Sequence, residues 1–473
     1  MNHNQSLLLK PTIMIPLDGA FRPASLFHRE IKDQLNKSGE HRPIVIGIER
    51  PDGTFSRIEE RIFSDHHAFK QTNIYYCERL VKFLIWQKGG WKLFIGGPKY
   101  IGEHISARYS SGGKRKFDAE FMGGKVYQRP FSVKTCRPED VPSANENERT
   151  IGHNLDGCRV GFDLGASSIK VSALVDGNVV FSKESTWHPQ AMQDPNYHFE
   201  NIISAINDAS ANLPHIDAIG GSSAGIILNN RLMIASLFES IPVERYEEAG
   251  NIFFKLRKKL DVPLDVINDG EITALAGSIS LGKNNLLGIS LGSSVAVGYI
   301  TANGNITNWI NELAFVPIDY NHAAPVDNWS GDRGCGAQYL SQKCVFRLLP
   351  RSGLELPRNL TNSQKFVFVL DMLEKGHLGA IDIWKSMSYY LGYAVALYSY
   401  FYDVEHIFLV GGCTSGIGGE LILDGSKEVL RKEFPDINDK IAIHLPNEKN
   451  RRLVQSIAVA SVPDAQGTVG DRQ

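Results

Sequence analysis

The sequence predicts an α/β protein with more than one core, and three observations lead there. From about residue 157 to 465, apolar strands ending in small or acidic residues alternate with helices of 3.6-residue periodicity, the pattern of a layered α/β architecture. Two units of strand, small turn and strand, Arg159–Gly177 and Leu286–Ile300, echo each other along that stretch. The chain is 473 residues long, enough for two or three domains with cores of their own.

Composition excludes several function classes. An apolar share of 42%, a charged share of 22% and a net charge of -2 are ordinary for a globular protein and give no basis for nucleic acid or an anionic membrane as partner. The six cysteines are scattered without a CxxC pair, which argues against a disulfide framework or a cysteine-rich zinc module and for a reducing compartment. The N-terminal MNHNQSLLLKPTIMIPL has one short apolar run broken by Lys10 and Pro11, and reads as neither signal peptide nor membrane span. The expected location is the cytoplasm.

Residues 1–155 are expected to form a mixed α/β extension of their own. Helices are predicted over 25–37, 75–87 and 99–109, the last opened by Pro98, which suits a first helical turn. Strands are predicted at 44–48, before the turn Arg50-Pro51-Asp52-Gly53, and at 91–95. The basic, glycine-rich run Ser110–Lys116 reads as a solvated turn sooner than as an anion-binding loop, and 137–154 reads as a linker.

The stretch Arg159–Gly177 organises the rest of the chain. A strand, Val160–Phe162, delivers Asp163; the tight turn Gly165, Ala166, Ser167, Ser168 comes next, then Lys170 and a second strand. Backbone N–H groups of so small a tip can approach a phosphate, and a carboxylate beside it can hold magnesium through water. A helix over 196–212 leads to a strand at 218–221 and the small-residue turn Ser222–Gly225, where a ligand could come close to backbone. A helix over 244–260 precedes a strand, 262–267, that ends in Asn268-Asp269 just before a helix over 270–279. A carboxylate there is fixed and reachable, so Asp269 is a candidate general base; helix capping alone would also account for it.

Gly277–Lys283 fits GxxxxGK, yet Asn284 replaces the needed Ser/Thr and the glycines end a helix instead of opening one, so a P-loop is rejected. Strands at 286–290 and 295–300 flank Gly292-Ser293-Ser294, and Glu312 precedes an apolar run. A polar loop occupies 325–341. A long aromatic-rich helix over 384–402 leads to a strand at 406–410 that runs into Gly411, Gly412 and Cys413, a bed for an adenine ring or ribose or a plain glycine-rich turn. A helix over 420–434, a strand at 442–445 and a helix over 453–462 complete the order, with a tail expected to be disordered.

This order of motifs resembles the ROK family (repressor, open reading frame, kinase), bacterial sugar kinases and sugar-responsive repressors. The resemblance implies a two-lobed actin-like ATPase, ribonuclease H-like fold with an additional N-terminal α/β region: 1–155 as extension, 156–265 and 266–465 as lobes, 466–473 as tail. It implies ATP, Mg2+ and a sugar as ligands. DLGASSIK (Asp163–Lys170) stands for the family's DxGGTxxK and would hold phosphates and magnesium; Asn268-Asp269 stands for the catalytic Asn-Asp, with Asp269 as base and Asn268 on a sugar hydroxyl. LGSSVAVG takes the place of the second phosphate loop and VGGC that of the adenosine segment. Ser223, Gly225 and Glu312 fall where substrate is bound.

Departures from the pattern are equally specific. The family's Glu-x-Gly-His reads Glu312-Leu313-Ala314-Phe315 here; its CxCGxxGCxE zinc loop corresponds to WSGDRGCGA, which keeps Cys335 alone, and its sugar-contacting glutamate falls near Ala337. One cysteine and no histidine cannot build a tetrahedral zinc site, so no structural zinc is expected. Loss of two polar contacts makes glucose an unsafe guess. The expected activity is ATP-dependent phosphorylation of a sugar or sugar derivative. The alternative is a catalytically silent sugar- or nucleotide-binding protein on the same fold. The extension lacks a trihelical DNA-binding pattern, which disfavours a repressor, and its role is open among covering the cleft, forming a homodimer and binding another partner.

Overall fold

The computed structural model describes residues 7–446 and 448–464, with side chains described in the last helix from residue 454 onward. The expected tail, 466–473, and the first six residues lie outside the described residues. The chain divides into two compact units: 1–147 with 290–296 and 308–445, and 148–289 with 297–307 and 446–473.

In the first unit, β1 (His41–Glu49) pairs antiparallel with β2 (Phe55–Phe63) and with β3 (Lys92–Gly96), and β4 (Ser132–Cys136) runs parallel to β3. The result is a four-stranded sheet in the order β2-β1-β3-β4. The turn between β1 and β2 closes where Pro51-Asp52-Gly53 predicted it, with the Gly53 N–H donating to Arg50 O (3.1 Å). Helix Ala24–Ser38 ends on left-handed Gly39, as a glycine past a helix C-terminus allows. Helix Thr72–Lys88 is buried nearly all round, including Arg79 and Lys82.

The second unit begins with the short strand β5 (Glu148–Arg149), which pairs antiparallel with Ile306–Thr307. Its main sheet starts from an antiparallel meander of β6 (Cys158–Leu164), β7 (Ser168–Val175) and β8 (Asn178–Thr186). β9 (Ala218–Ser223) lies parallel to β6. Short strands β10 (Ile226–Leu228) and β11 (Arg231–Ile234) make a separate hairpin, and β12 (Leu264–Asn268) runs parallel to β9. The five-stranded order is β12-β9-β6-β7-β8. Buried Val160, Phe162, Ile202, Ile206, Ile219 and Phe253 pack in one core between sheet and helices, as the alternation of strand and helical periods dictates.

The first unit also holds helices Leu378–Tyr398 and Ile417–Glu433, with strands His406–Val410 and Ala442–His444 paired in parallel. Among the described residues no helix is long and apolar enough to cross a membrane.

Two expectations need correction, and one helix was not expected. Residues 1–147 are not a separate body: they share a compact unit with 308–445, because Ala24 N–H donates to Ile318 O (2.9 Å), Tyr320 N–H to Arg22 O (2.8 Å), and the rings of Phe27 and Tyr320 pack edge to face. The stretch read as a linker is anchored by Val141, which is buried against Val45, Phe55 and Phe94. Helix Asn362–Glu374 went unpredicted although Thr361 and Gln364 form a complete capping box; the sequence TNSQ carries that signature.

Candidate active site

In the second unit, sheet register gathers the predicted residues at one end. Asp163 sits opposite Ser222, and Ser223 opposite both Leu164 and Asn268, so three adjacent parallel strands end together. Ligands of open α/β sheets bind outside such carboxyl ends. Across the antiparallel pairs, Lys170 stands opposite Asp163 on one side and Glu184 on the other. Its ammonium lies 3.5 Å from Asp163 Oδ2, and Gln455 Nε2 is 3.4 Å from the same oxygen. Both contacts are long, so the carboxylate keeps lone pairs for a hydrated cation, which fits a water-mediated magnesium ion. A cavity of about 170 Å³ lies here, lined by Asp163, Lys170, Glu184 and Gln455 among others.

The turn Gly165–Ser168 presents an exposed tip at Ala166 and Ser167. It is closed by Gly165 N–H donating to Ser168 O (2.9 Å) and braced by Trp187, whose indole N–H donates to Gly165 O (2.7 Å). Ser168 donates its hydroxyl to Glu184 (2.8 Å).

Asn268 is the N-cap of helix Asp269–Leu281. Its amide oxygen accepts from Gly270 N–H (2.7 Å) and its amide nitrogen donates to Gly225 O (2.7 Å), leaving, among the described residues, one N–H and one lone pair for a ligand. Gly225 has φ +105°, and a Cβ there would fall 2.2 Å from Ile234 O, so only glycine makes this turn. Ser223 is buried, its hydroxyl donating to Ala224 O (3.2 Å). Asp269 opens the helix; burial, and after it the charge of Asp163, push its carboxyl up to about 6. Glu271, two positions on, is pushed up to about 7 by burial against the pull of Arg149.

The first unit collects the rest. Gly292 N–H donates to Ser294 O (3.0 Å), and Gly292 O accepts from Gln342 N–H (2.9 Å); Ser293 and Ser294 are exposed. Gly411, at φ +109°, lies so close to Leu291 that a Cβ would meet its carbonyl carbon at 2.4 Å. The predicted phosphate turn and adenosine segment are therefore neighbours. Gly412 lies beside Phe366, and buried Cys413 accepts at its carbonyl from Trp384 Nε1 (2.8 Å).

Glu312 is held elsewhere in this unit, its N–H donating to Trp86 O (2.9 Å), with Asn311 N–H on Gln87 O (3.0 Å). Phe315 stacks between Trp86 (centroids 4.2 Å) and Trp329 (5.6 Å). The loop corresponding to the family's zinc segment offers Cys335 as its only thiol, fully buried, and no histidine. Its Asp332 is bound instead by Arg79 (3.1 Å) and Arg115 (2.6 Å), and Asp327 holds Ser330. These residues do not fit a tetrahedral zinc ion. Among the described residues, the grouping of ligand-type atoms within metal-sharing distance is Cys158, His215 and Asp217 in the other unit.

Sequence reasoning missed several neighbours of these residues. Ser222 Oγ is buried beside Asp163 with no hydrogen-bond partner among the described residues, and only its place in the SSAG turn hinted at it. Gln455 and Trp329 carried no signal, since their neighbours lie far off in sequence.

The family model for the ROK family matches residues 159–436. A ROK family transcriptional regulator, a homologue of the E. coli MLC protein, shares the fold with TM-score 0.53 at 16% identity, covering 65% of this chain and 78% of that one. A ROK hexokinase from Thermus thermophilus matches with TM-score 0.50 at 15% identity, over 64% of this chain and 97% of its own. A ROK family glucokinase from Streptomyces griseus, in complex with glucose and AMPPNP, matches with TM-score 0.49 at 18% identity, over 64% and 98%. Comparison with curated protein sequences gives no match.

Proposed function

From the fact that this chain belongs to the ROK family, with a match over more than half its length and an actin-like ATPase fold, we propose that it is an ATP- and magnesium-dependent kinase acting on a sugar or sugar derivative. The observation that carries this reading is the meeting of Asp163, Ser223 and Asn268-Asp269 at the ends of three adjacent strands, with Asp269 pushed up to about 6. A carboxylate poised near the working pH can accept the proton of an attacking hydroxyl. Phosphoryl transfer asks for little else beyond positioning and charge neutralisation.

Asp269 takes the proton from the sugar hydroxyl, and the free N–H of Asn268 orients that hydroxyl. In the second unit, backbone around Gly165–Ser168, with Lys170, is assigned to phosphate; in the first unit, backbone around Gly292–Ser294 has the same assignment, and Gly411, Gly412 and Cys413 form the adenosine bed. A hydrated magnesium ion near Asp163 would supply charge neutralisation on the phosphate oxygens. Ser223 and Gly225 in the second unit, and Glu312 in the first, are the residues assigned to the sugar. Phe315 and Ala337 offer no hydrogen bonds where the family pattern has a histidine and a glutamate, which favours a sugar derivative with an apolar substituent over glucose.

The first unit's N-terminal sheet of four strands is not the trihelical pattern of a DNA-binding module, which disfavours the repressor branch. The substitutions at Phe315 and Ala337 favour one rival, a catalytically silent sugar- or nucleotide-binding protein. Measuring ADP release from Mg-ATP across hexoses, amino sugars, N-acetylated sugars and polyols decides between them. Sugar-dependent turnover supports the kinase. Binding of Mg-ATP or sugar by calorimetry with no turnover on any of them supports the silent protein.

A further inference from the structure

We propose that helix Thr72–Lys88, with Arg115, replaces a structural zinc ion as the clamp that holds the Glu312 segment and the loop 325–336 in place, which makes Arg79, Trp86 and Arg115 positioning residues for Glu312. The proposal rests on the kinase reading only for what Glu312 does.

The clamp has an ionic end and an aromatic end on one helix. At the ionic end, Arg79 spans both carboxylate oxygens of Asp332 (3.1 and 3.2 Å), and Arg115 reaches one of them at 2.6 Å. All three side chains are at least nine-tenths buried. Burial by itself would raise the Asp332 carboxyl, yet Arg79 and Arg115 hold it well below the usual carboxylate range. Arg115 is oriented in turn by Glu78 (3.2 Å), which also binds His104 and Arg108. Two buried guanidinium groups that converge on one carboxylate, Arg79 through a single nitrogen shared between both oxygens and Arg115 on Oδ2, fix its position from two directions, which is what a metal would otherwise provide.

At the aromatic end, two turns further along the helix, Trp86 stacks on Phe315 while its indole N–H donates to Asp118 (3.0 Å), itself bound by Lys82 (2.5 Å). The carbonyls of Trp86 and Gln87 accept the N–H groups of Glu312 and Asn311. The loop closes the circuit: Trp329 stacks on Phe315, and Gly336 N–H donates to Val316 O (2.9 Å). One helix from the N-terminal 147 residues therefore grips the Glu312 segment directly and the loop through Asp332. The histidine missing at Phe315 and the cysteines missing from the loop, and the added N-terminal region, are two sides of one substitution.

The test uses the full chain with Arg79→Met, Asp332→Asn and the conservative Arg79→Lys. Arg79→Met leaves Asp332 paired with Arg115, so folding should survive. Backbone hydrogen exchange in 311–316 and 325–336 is expected to rise about tenfold or more in Arg79→Met and Asp332→Asn, with partial recovery in Arg79→Lys and no change in β6 and β9. Addition of EDTA to the wild type should leave exchange in these segments unchanged. Where turnover is measurable, the KM for sugar should rise about fivefold or more with the KM for ATP held. Unchanged exchange in both variants, a uniform rise over the whole chain, or loosening of the wild-type loop by EDTA would overturn the clamp. Because exchange needs no turnover, a chain without kinase activity would sink the proposed function and leave this result standing.

Discussion

Asp269 owes its raised pKa to burial first and to Asp163 second, and both its catalysis and its stability should respond to pH. In the proposed reaction its ionised form is the base, so kcat/KM should fall with unit slope as pH drops below about 6, and Asp269→Asn should lower kcat by about two to four orders of magnitude with sugar and nucleotide affinity retained. The stability effect has the opposite sense. A carboxyl group whose folded pKa lies near 6, above its unfolded value of 3.8, contributes stability that is fully present below the lower value and is lost as pH rises through the upper one. At about pH 7.5 the charged group is therefore a cost, and Asp269→Asn should stabilise by about 1–2 kcal/mol, a difference that vanishes near pH 3.5. Thermal melts of the two proteins across pH check this; an Asn variant that melts lower at neutral pH would contradict it. Asn268-Asp269 was legible in the sequence because a polar pair that ends an apolar strand and abuts a helix stands out by position alone. Arg115 was not: within the basic run Ser110–Lys116 it reads as solvated, and only the fold turns it inward onto Asp332 and Glu78.

The elements show where local rules suffice and where they fail. Strands β6, β7, β9 and β12 arise from apolar runs and small-residue turns, and they alone bring Asp163, Ser223 and Asn268 together. The turn at Gly411 was readable as glycine-rich, but not its approach to Leu291, which is a contact between distant parts of the chain. Gly411→Ala combines an unfavourable φ with a clash against backbone, so it should cost about 2 kcal/mol or more and weaken nucleotide binding, read by denaturant melts and by titration with Mg-ATP. Thr361→Ala removes one half of the capping box of helix Asn362–Glu374 and should cost about 1 kcal/mol with no effect on ligand affinity, as the same melts and titrations would show. The capping box alone marked that helix in the sequence; its apolar residues, and those at the start of Leu378–Tyr398, blend with the core pattern around them.

For the whole molecule, the N-terminal region changed meaning most. Its strands and helices were partly legible, but its role was not, because the contacts that tie it to the rest of its unit join residues hundreds of positions apart, such as Tyr75 Oη to Tyr320 O and Gln87 Nε2 to Phe401 O. A chain beginning at residue 156 would deprive Tyr320 of Phe27 and Tyr75, Phe315 of Trp86, and Asp332 of Arg79 and Arg115. It should fail to fold cooperatively, as judged by circular dichroism and sedimentation; a stable, monomeric fragment would contradict the shared unit. Transfer of phosphate to a sugar is the property on which the proposed function stands or falls. Its most direct test is a single-turnover experiment with γ-labelled Mg-ATP and the full chain, using the sugar that the ADP-release panel selects. Labelled sugar phosphate is expected with the wild type and none above background with Asp269→Asn. Label that stays on ATP, or appears only as inorganic phosphate, would contradict the kinase, as would equal transfer by the variant.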